Sequence, residues 1–367
     1  MENNVRKILV VGALVLCSAA FAAPGWFVNT DVNQDFRYRL HDYAQEDAPN
    51  NAHRYRERLR YRIALKTKVN DEFTAGARLL TGDGTNRSTT QTLDNEFEKK
   101  QFNLDQAYLS YAPKWVPSAL GSFKATVGKF DVKEGIYTVS SIMWDSNISL
   151  EGELLNYTYK NLGVEGLDVF ANIGSYVLEG DVNPGAPVNL EARQLGWKWK
   201  FLKNYNFDAA YAQYTVPAFN TSATAANLNV DASDDKALTH IGAVLGAKLT
   251  APYFEKVALL YEDYSNPNIE TKDNHGTAAG IEFGTASVAK LGDYSLRYLT
   301  RKVEENIGWN YLEDAHKIAG TEGSQIVLTL GLAENVSFTY DQYDLKYIDK
   351  DNGKPWKDTR FEINVKF

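Results

Sequence analysis

The chain has 367 residues, with 39 Lys and Arg against 47 Asp and Glu, and it is rich in Tyr (22), Phe (17) and Gly (26) beside a single Cys. An acidic balance offers no electrostatic footprint for nucleic acid, and one cysteine excludes a disulfide framework or a thiolate metal cluster. The mean hydropathy of −0.39 and the lack of a ~20-residue apolar run exclude a bundle of membrane-spanning helices.

At the start of the chain, Arg6 and Lys7 precede a compact apolar run from Ile8 to Leu16. Ala20-Phe21-Ala22 then supplies the small-x-small pattern after which signal peptidases cut. Residues 1–22 therefore read as a signal peptide cleaved near Ala22, and 23–367 as the mature domain. Leu16 precedes Cys17, where a lipoprotein site requires a small residue. Removal of the segment takes the only cysteine with it and leaves 37 basic against 46 acidic side chains.

From there on the chain alternates with period two. In the stretch 26–40 the even positions are mostly apolar (Trp26, Val28, Val32, Phe36, Tyr38, Leu40). The odd ones are mostly polar (Asn29, Asp31, Asn33, Asp35, Arg37, Arg39), as a strand between two environments requires. In the next stretch Leu59, Tyr61, Ile63 and Leu65 alternate with Arg56, Arg58, Arg60 and Arg62. Four arginines on one strand face cannot enter a dry core, because unpaired buried charge is prohibitive. They face water, either over an exposed sheet or inside a wet barrel.

In chain order the pattern predicts strands at 26–40, 53–69, 71–80, 101–112, 122–131, 153–160, 166–178, 191–201, 206–216, 237–250, 255–264, 276–284, 292–303, 323–332, 335–345 and 358–367. Most have the ~9–11 residues a tilted strand needs to cross a bilayer. Within 101–112, Leu104 and Leu109 imply opposite registers, so a bulge or a protein-covered face is expected there. Short connections alternate with long polar ones, a rhythm typical of closed membrane barrels. A secreted β-sandwich also suits the composition, but its Greek-key connections give no reason for such regularity. The fold class expected is all-β: a closed antiparallel transmembrane β-barrel of about 16 strands, with short periplasmic turns and long extracellular loops.

Catalytic signatures are missing from the sequence: it holds no G-x-S-x-G, Walker loop, H-E-x-x-H or CxxC. The five histidines, His41, His53, His240, His275 and His316, are scattered. A metal site from His41 and His53, or calcium on Asp231, Asp234 and Asp235, has only proximity in its favour; solvated loop charge is the simpler reading. No cofactor and no enzyme activity are expected.

The charge pattern is more informative. Arg37, Arg39, Arg56, Arg58, Arg60, Arg62 and Arg78 all fall on the predicted water-facing side of the first three strands, where they form a pore-lining basic wall. The third long connection, 132–152, contains Glu134, Asp145 and Glu151, with Glu153 just after it. It also carries Ile136, Tyr137, Ile142, Met143 and Trp144, unusually apolar for a solvated loop. Folding into the barrel would cover those side chains and bring Glu134, Asp145, Glu151 and Glu153 toward the arginines as constriction-loop acids.

Leu104-Asp105-Gln106-Ala107-Tyr108, Val127-Gly128-Lys129-Phe130-Asp131 and a last strand with Phe361, Ile363, Val365 and the terminal Phe367 resemble segments of the bacterial trimeric porin superfamily. Those members typically have 16 strands and a third external loop that folds inward. The resemblance implies an outer-membrane porin of a Gram-negative bacterium, open to passive diffusion of small hydrophilic solutes and ions. It also implies a homotrimer among outer-membrane lipid and a terminal strand read by the barrel assembly machinery. A substrate-selective, anion-preferring channel is the alternative, and a barrel enzyme a more remote one.

Overall fold

The computed structural model describes residues 29–45, 52–82, 84, 88–94, 96–180, 187–216, 236–251, 253–267, 273–305, 307, 319–348 and 355–367. The expected signal peptide, residues 1–22 with Cys17, lies outside them, as do His316 and the acidic residues Asp231, Asp234 and Asp235.

The chain runs through β1 (Thr30–Gln45), β2 (Ala52–Lys68), β3 (Phe73–Thr81), the two-residue β4 (Gln91–Thr92), β5 (Phe102–Tyr111), β6 (Ser122–Asp131), β7 (Ser149–Tyr159), β8 (Leu167–Glu179) and β9 (Val188–Phe201). It continues through β10 (Tyr205–Val216), β11 (Lys236–Ala251), β12 (Phe254–Ser265), β13 (His275–Gly284), β14 (Tyr294–Val303), β15 (Thr321–Ala333), β16 (Val336–Tyr347) and β17 (Pro355–Lys366). Leaving aside β4, which only extends the pairing of β2 at Arg58 and Leu59, each of the sixteen strands pairs antiparallel with its chain neighbours. β17 then pairs with β1 from Asp35↔Lys366 to Gln45↔Trp356. The sheet is a closed 16-strand barrel and has no free edge.

All sixteen expected strands are present, with their ends shifted by a few residues. Alternation sets which side chains face where. Val32, Phe36, Leu65, Leu109, Ile173, Leu195, Ile241, Leu259 and Ile326 are exposed on the outer surface, an apolar face that only lipid would cover. Near the short turns the outer face becomes aromatic. Phe73 lies 4.7 Å from Tyr111, Phe123 4.8 Å from Tyr157, and Trp199 4.9 Å from Phe201 between ring centroids. Such girdles mark a membrane–water boundary.

The conflict between Leu104 and Leu109 resolves as a bulge. Arg78 pairs with Gln106 and Leu79 with Leu104, so Asp105 is the extra residue in β5. Both leucines then point outward and are exposed, while Asp105 is turned to Arg78. One inserted residue reverses the parity of everything before it.

Candidate functional site

Two unlike walls face each other inside the barrel. The first is built by β17, β1, β2 and β3. Odd positions of β1 and even positions of β2 and β17 point inward, which places Arg37, Arg39, Arg58, Arg60, Arg78 and Arg360 there, all largely buried. Arg56 and Arg62 share that parity and are half-buried. The sequence located the cations but not their partners. Arg39 lies 2.5 Å and Arg37 3.6 Å from Glu362. Asp35 receives Arg60 at 2.8 Å and Arg62 at 2.6 Å. Arg360 binds Asp358 at 2.8 Å and reaches Asp341 at 3.5 Å.

Arg56 donates to His41 Nδ1 at 2.9 Å, and His41 Nε2 lies 2.8 Å from Asp358. An arginine can only donate, so Nδ1 accepts and Nε2 carries the proton given to Asp358. His41 is thereby a neutral link in the network, and His53 touches Asp42 at 3.4 Å in an exposed position instead. The described residues contain no cluster of ligands fit for a metal.

The second wall is the third long loop. It starts from a one-turn helix, Val132–Gly135, whose N-cap Asp131 accepts from Lys133 N at 3.1 Å, a local cap that turns the chain out of β6. The loop then folds into the barrel. Ile136, Ile142, Met143, Trp144 and Ile148 are buried against Leu154, Tyr176, Leu190, Ala212, Tyr214 and Leu238 on the inner face of β7 to β11. Trp144 sits 5.4 Å from Tyr214 and Tyr137 5.9 Å from Phe170 between ring centroids. Burial holds the Tyr137 phenol well above its ordinary value. Burying five large apolar side chains at about 1.5–3 kcal/mol each is the main reason the loop stays inside.

The loop is also pinned by polar groups that sequence reading missed. The fully buried Glu262 of β12 accepts from the backbone N–H of Val139 at 3.0 Å and of Ser140 at 2.8 Å, and from the Ser140 hydroxyl. It accepts further from His240 Nε2 at 2.9 Å and the Tyr264 hydroxyl at 3.2 Å. Gln194 of β9 accepts from Tyr137 N at 2.8 Å and donates to Tyr137 O at 3.0 Å. Gly242 lets the tip approach β11, since a Cβ there would lie 3.1 Å from Val139 Cγ2.

A strut joins the walls. Arg58 donates to Ser88 Oγ at 2.9 Å, and Thr89 Oγ1 meets Asn147 of the loop at 3.1 Å. Arg78 clamps the loop's base through Asp105, through Asp131 at 3.1 Å and through Ser149 at 3.5 Å.

The four acids expected to face the arginines are placed differently. Glu134 pairs with Lys124 of β6. Asp145 is buried in the loop and accepts from Asn147 N at 2.8 Å and Asn147 Nδ2 at 2.7 Å. Glu151 and Glu153 lie in β7 itself, on the parity opposite the inward Leu150 and Leu154. Both are exposed, and Glu151 pairs with outward Lys129. Expecting them to face the arginines is corrected by strand alternation: residues one apart cannot share a face. The carboxylates that meet the arginines come instead from β1, β5, the end of β6, β16 and β17.

A family model described as "Putative porin" matches residues 22–244. The chain belongs to this porin family. Its barrel is similar to the high-pH structure of Pseudomonas putida OprB, at 10% identity and a TM-score of 0.60, over 92% of this chain and 94% of that one. A mutant of Rhodopseudomonas blastica porin aligns over 92% of this chain and 100% of its own, with 13% identity and a TM-score of 0.49. No curated protein sequence matches. Family and fold together make the chain an outer-membrane channel of Gram-negative porin type.

Proposed function

We propose that this porin passes small hydrophilic solutes and ions by passive diffusion, through a passage bounded by the arginine wall of β17 to β3 and the inward third loop. The observation that carries the reading is the packing of that loop, with Glu262 as its polar anchor, across the barrel from the arginines. A ring of charge beside a narrowed passage is how channels select ions.

The ion pairing supports a mild selectivity over a strong one. Arg37, Arg39, Arg56, Arg58, Arg60, Arg62, Arg78 and Arg360 share the cluster with Asp35, Asp105, Asp131, Asp341, Asp358 and Glu362. The formal excess, eight cations over six anions, is only two positive charges. Fields beyond ~8 Å are screened at physiological salt, so a weak anion preference is expected. The alternative, an anion-selective channel, needs the arginines free of partners, and most have one.

The reading includes a signal peptide over 1–22 cleaved near Ala22, and a terminal strand whose Phe361, Ile363, Val365 and Phe367 guide barrel assembly. It also includes a homotrimer in outer-membrane lipid, with the short turns facing the periplasm. Supporting the terminal-strand role, Phe367 closes the ladder with Gln34 at 2.9 and 3.0 Å. The test is reversal potential across a planar bilayer under a salt gradient, for wild type and for Arg58→Glu with Arg60→Glu. Charge reversal should turn the preference toward cations; unchanged selectivity would remove the arginine wall from the passage.

A further inference from the structure

One buried arginine on β14, next to the arginine wall, is left unbalanced among the described residues. Arg301 of β14 points inward and is 4% exposed. Its Nε, Nη1 and Nη2 are all buried without a hydrogen-bond partner among the described residues. Every other inward arginine named above reaches a carboxylate, a histidine or a hydroxyl. In register Arg301 lies between Ala278 of β13 and Gly323 of β15. Gly323 holds φ +153°, and a Cβ there would lie 2.1 Å from Asp344 O. The absent side chain leaves the inner face of β15 open, and the Arg301 guanidinium crosses it to lie 5.2 Å from the Tyr343 ring centroid on β16.

The same ring also carries Arg360, at 5.0 Å, but Arg360 is balanced by Asp358 and Asp341. Glu262 occupies the same inner row as Arg301, beyond Ala278. It is saturated by donors from the loop, His240 and Tyr264, so it does not serve Arg301. Stacking on an aromatic face offsets only a small part of the penalty for a buried charge whose N–H donors find no acceptor among the described residues.

We propose that Arg301 is a binding site for a small carboxylate, held edge-on by the guanidinium fork while Tyr343 supports the opposite, flat face. A carboxylate supplies two oxygens at the spacing of the fork and balances the charge at once, which a halide does with one atom and no direction. The site adjoins the arginine wall through the Tyr343 ring that Arg301 shares with Arg360, but its binding reads out without ion flow, so its test is distinct from that of the diffusion reading.

The test is calorimetric titration of the detergent-purified full chain with sodium formate and, separately, sodium chloride, at fixed ionic strength in sulfate. Wild type should bind formate at one saturable site, more tightly than chloride. Arg301→Gln should weaken formate at least tenfold, and Arg301→Lys by a smaller factor because a point charge lacks the fork. Lys302→Gln, on the outward parity beside it, should bind as wild type does. Heat-modifiable mobility on electrophoresis reports that each variant is folded; if Arg301→Gln is not, the Lys variant decides. Equal formate affinity in wild type and the folded Arg301 variants would overturn the site, and equal affinity for formate and chloride would overturn its carboxylate class.

Discussion

Replacing Glu262 by Gln tests what holds the third loop. The side chain is fully buried and receives five donors, three of them from Val139 and Ser140. A carboxamide keeps one acceptor oxygen. If that oxygen stays toward Val139, His240 and Tyr264, the new NH2 group faces the Ser140 N–H, and only the Ser140 hydroxyl can rotate to accept. One charge-assisted bond worth about 1.5–3 kcal/mol is lost, and a buried N–H is left unsatisfied at about 1–3 kcal/mol. Partial relaxation of the tip brings the net toward roughly 3 kcal/mol, which raises the population with the tip detached roughly a hundredfold. Trp144 and its apolar neighbours lie outside this contact and keep the rest of the loop seated. Single-channel recording should then show brief steps to larger conductance that wild type rarely makes, with the barrel's melting nearly unchanged. Conductance and open-channel noise identical to wild type in a folded Glu262→Gln protein would refute the assignment of Glu262 as the anchor.

Gly242→Val should produce the same flicker by a different route, because added methyl groups collide with Val139, whose Cγ2 lies 3.1 Å from the first added carbon; a quiet channel would argue against close contact there. Deleting Asp105 removes the bulge and reverses the outward parity of Phe102 and Leu104; loss of heat-modifiable barrel is expected, and normal assembly would contradict the register. At the turn joining β2 and β3, hydrogen bonds from Lys114 and Lys68 hold the Asp71 carboxyl down at about 2. A depressed carboxyl contributes stability above the ordinary carboxylate range and loses it as pH falls through about 2. Lys114→Ala should move the midpoint upward in an NMR titration; an unmoved midpoint would deny the pairing.

Particular strands show where the sequence sufficed. The arginines at 56, 58, 60 and 62 announced an inner face because leucine, tyrosine and isoleucine filled the intervening positions, and parity is a local property needing no partner. Leu104 and Leu109 likewise signalled, from within one strand, either a bulge or a covered face, and pairing with β3 decided for the bulge. Glu151 differs from expectation because β7 begins at Ser149, inside the expected loop, and Glu153, already in an expected strand, because its parity is opposite to that of the inward Leu154. Glu262 could be put on an inward position by its alternation with Leu259 and Tyr261, but its partner loop is 122 residues away.

The sequence by itself therefore determined a closed barrel of about sixteen strands and the two faces of most of them. These follow from period two and connection length, which are written locally. Tertiary structure alone decided which carboxylate answers which arginine, where the third loop is pinned, and that Arg301 has no answer among the described residues. Barrel closure brings Glu362 beside Arg39 across 323 residues, and the inward fold of the loop brings Ser140 beside Glu262 across 122; contacts at such separations leave no periodic trace.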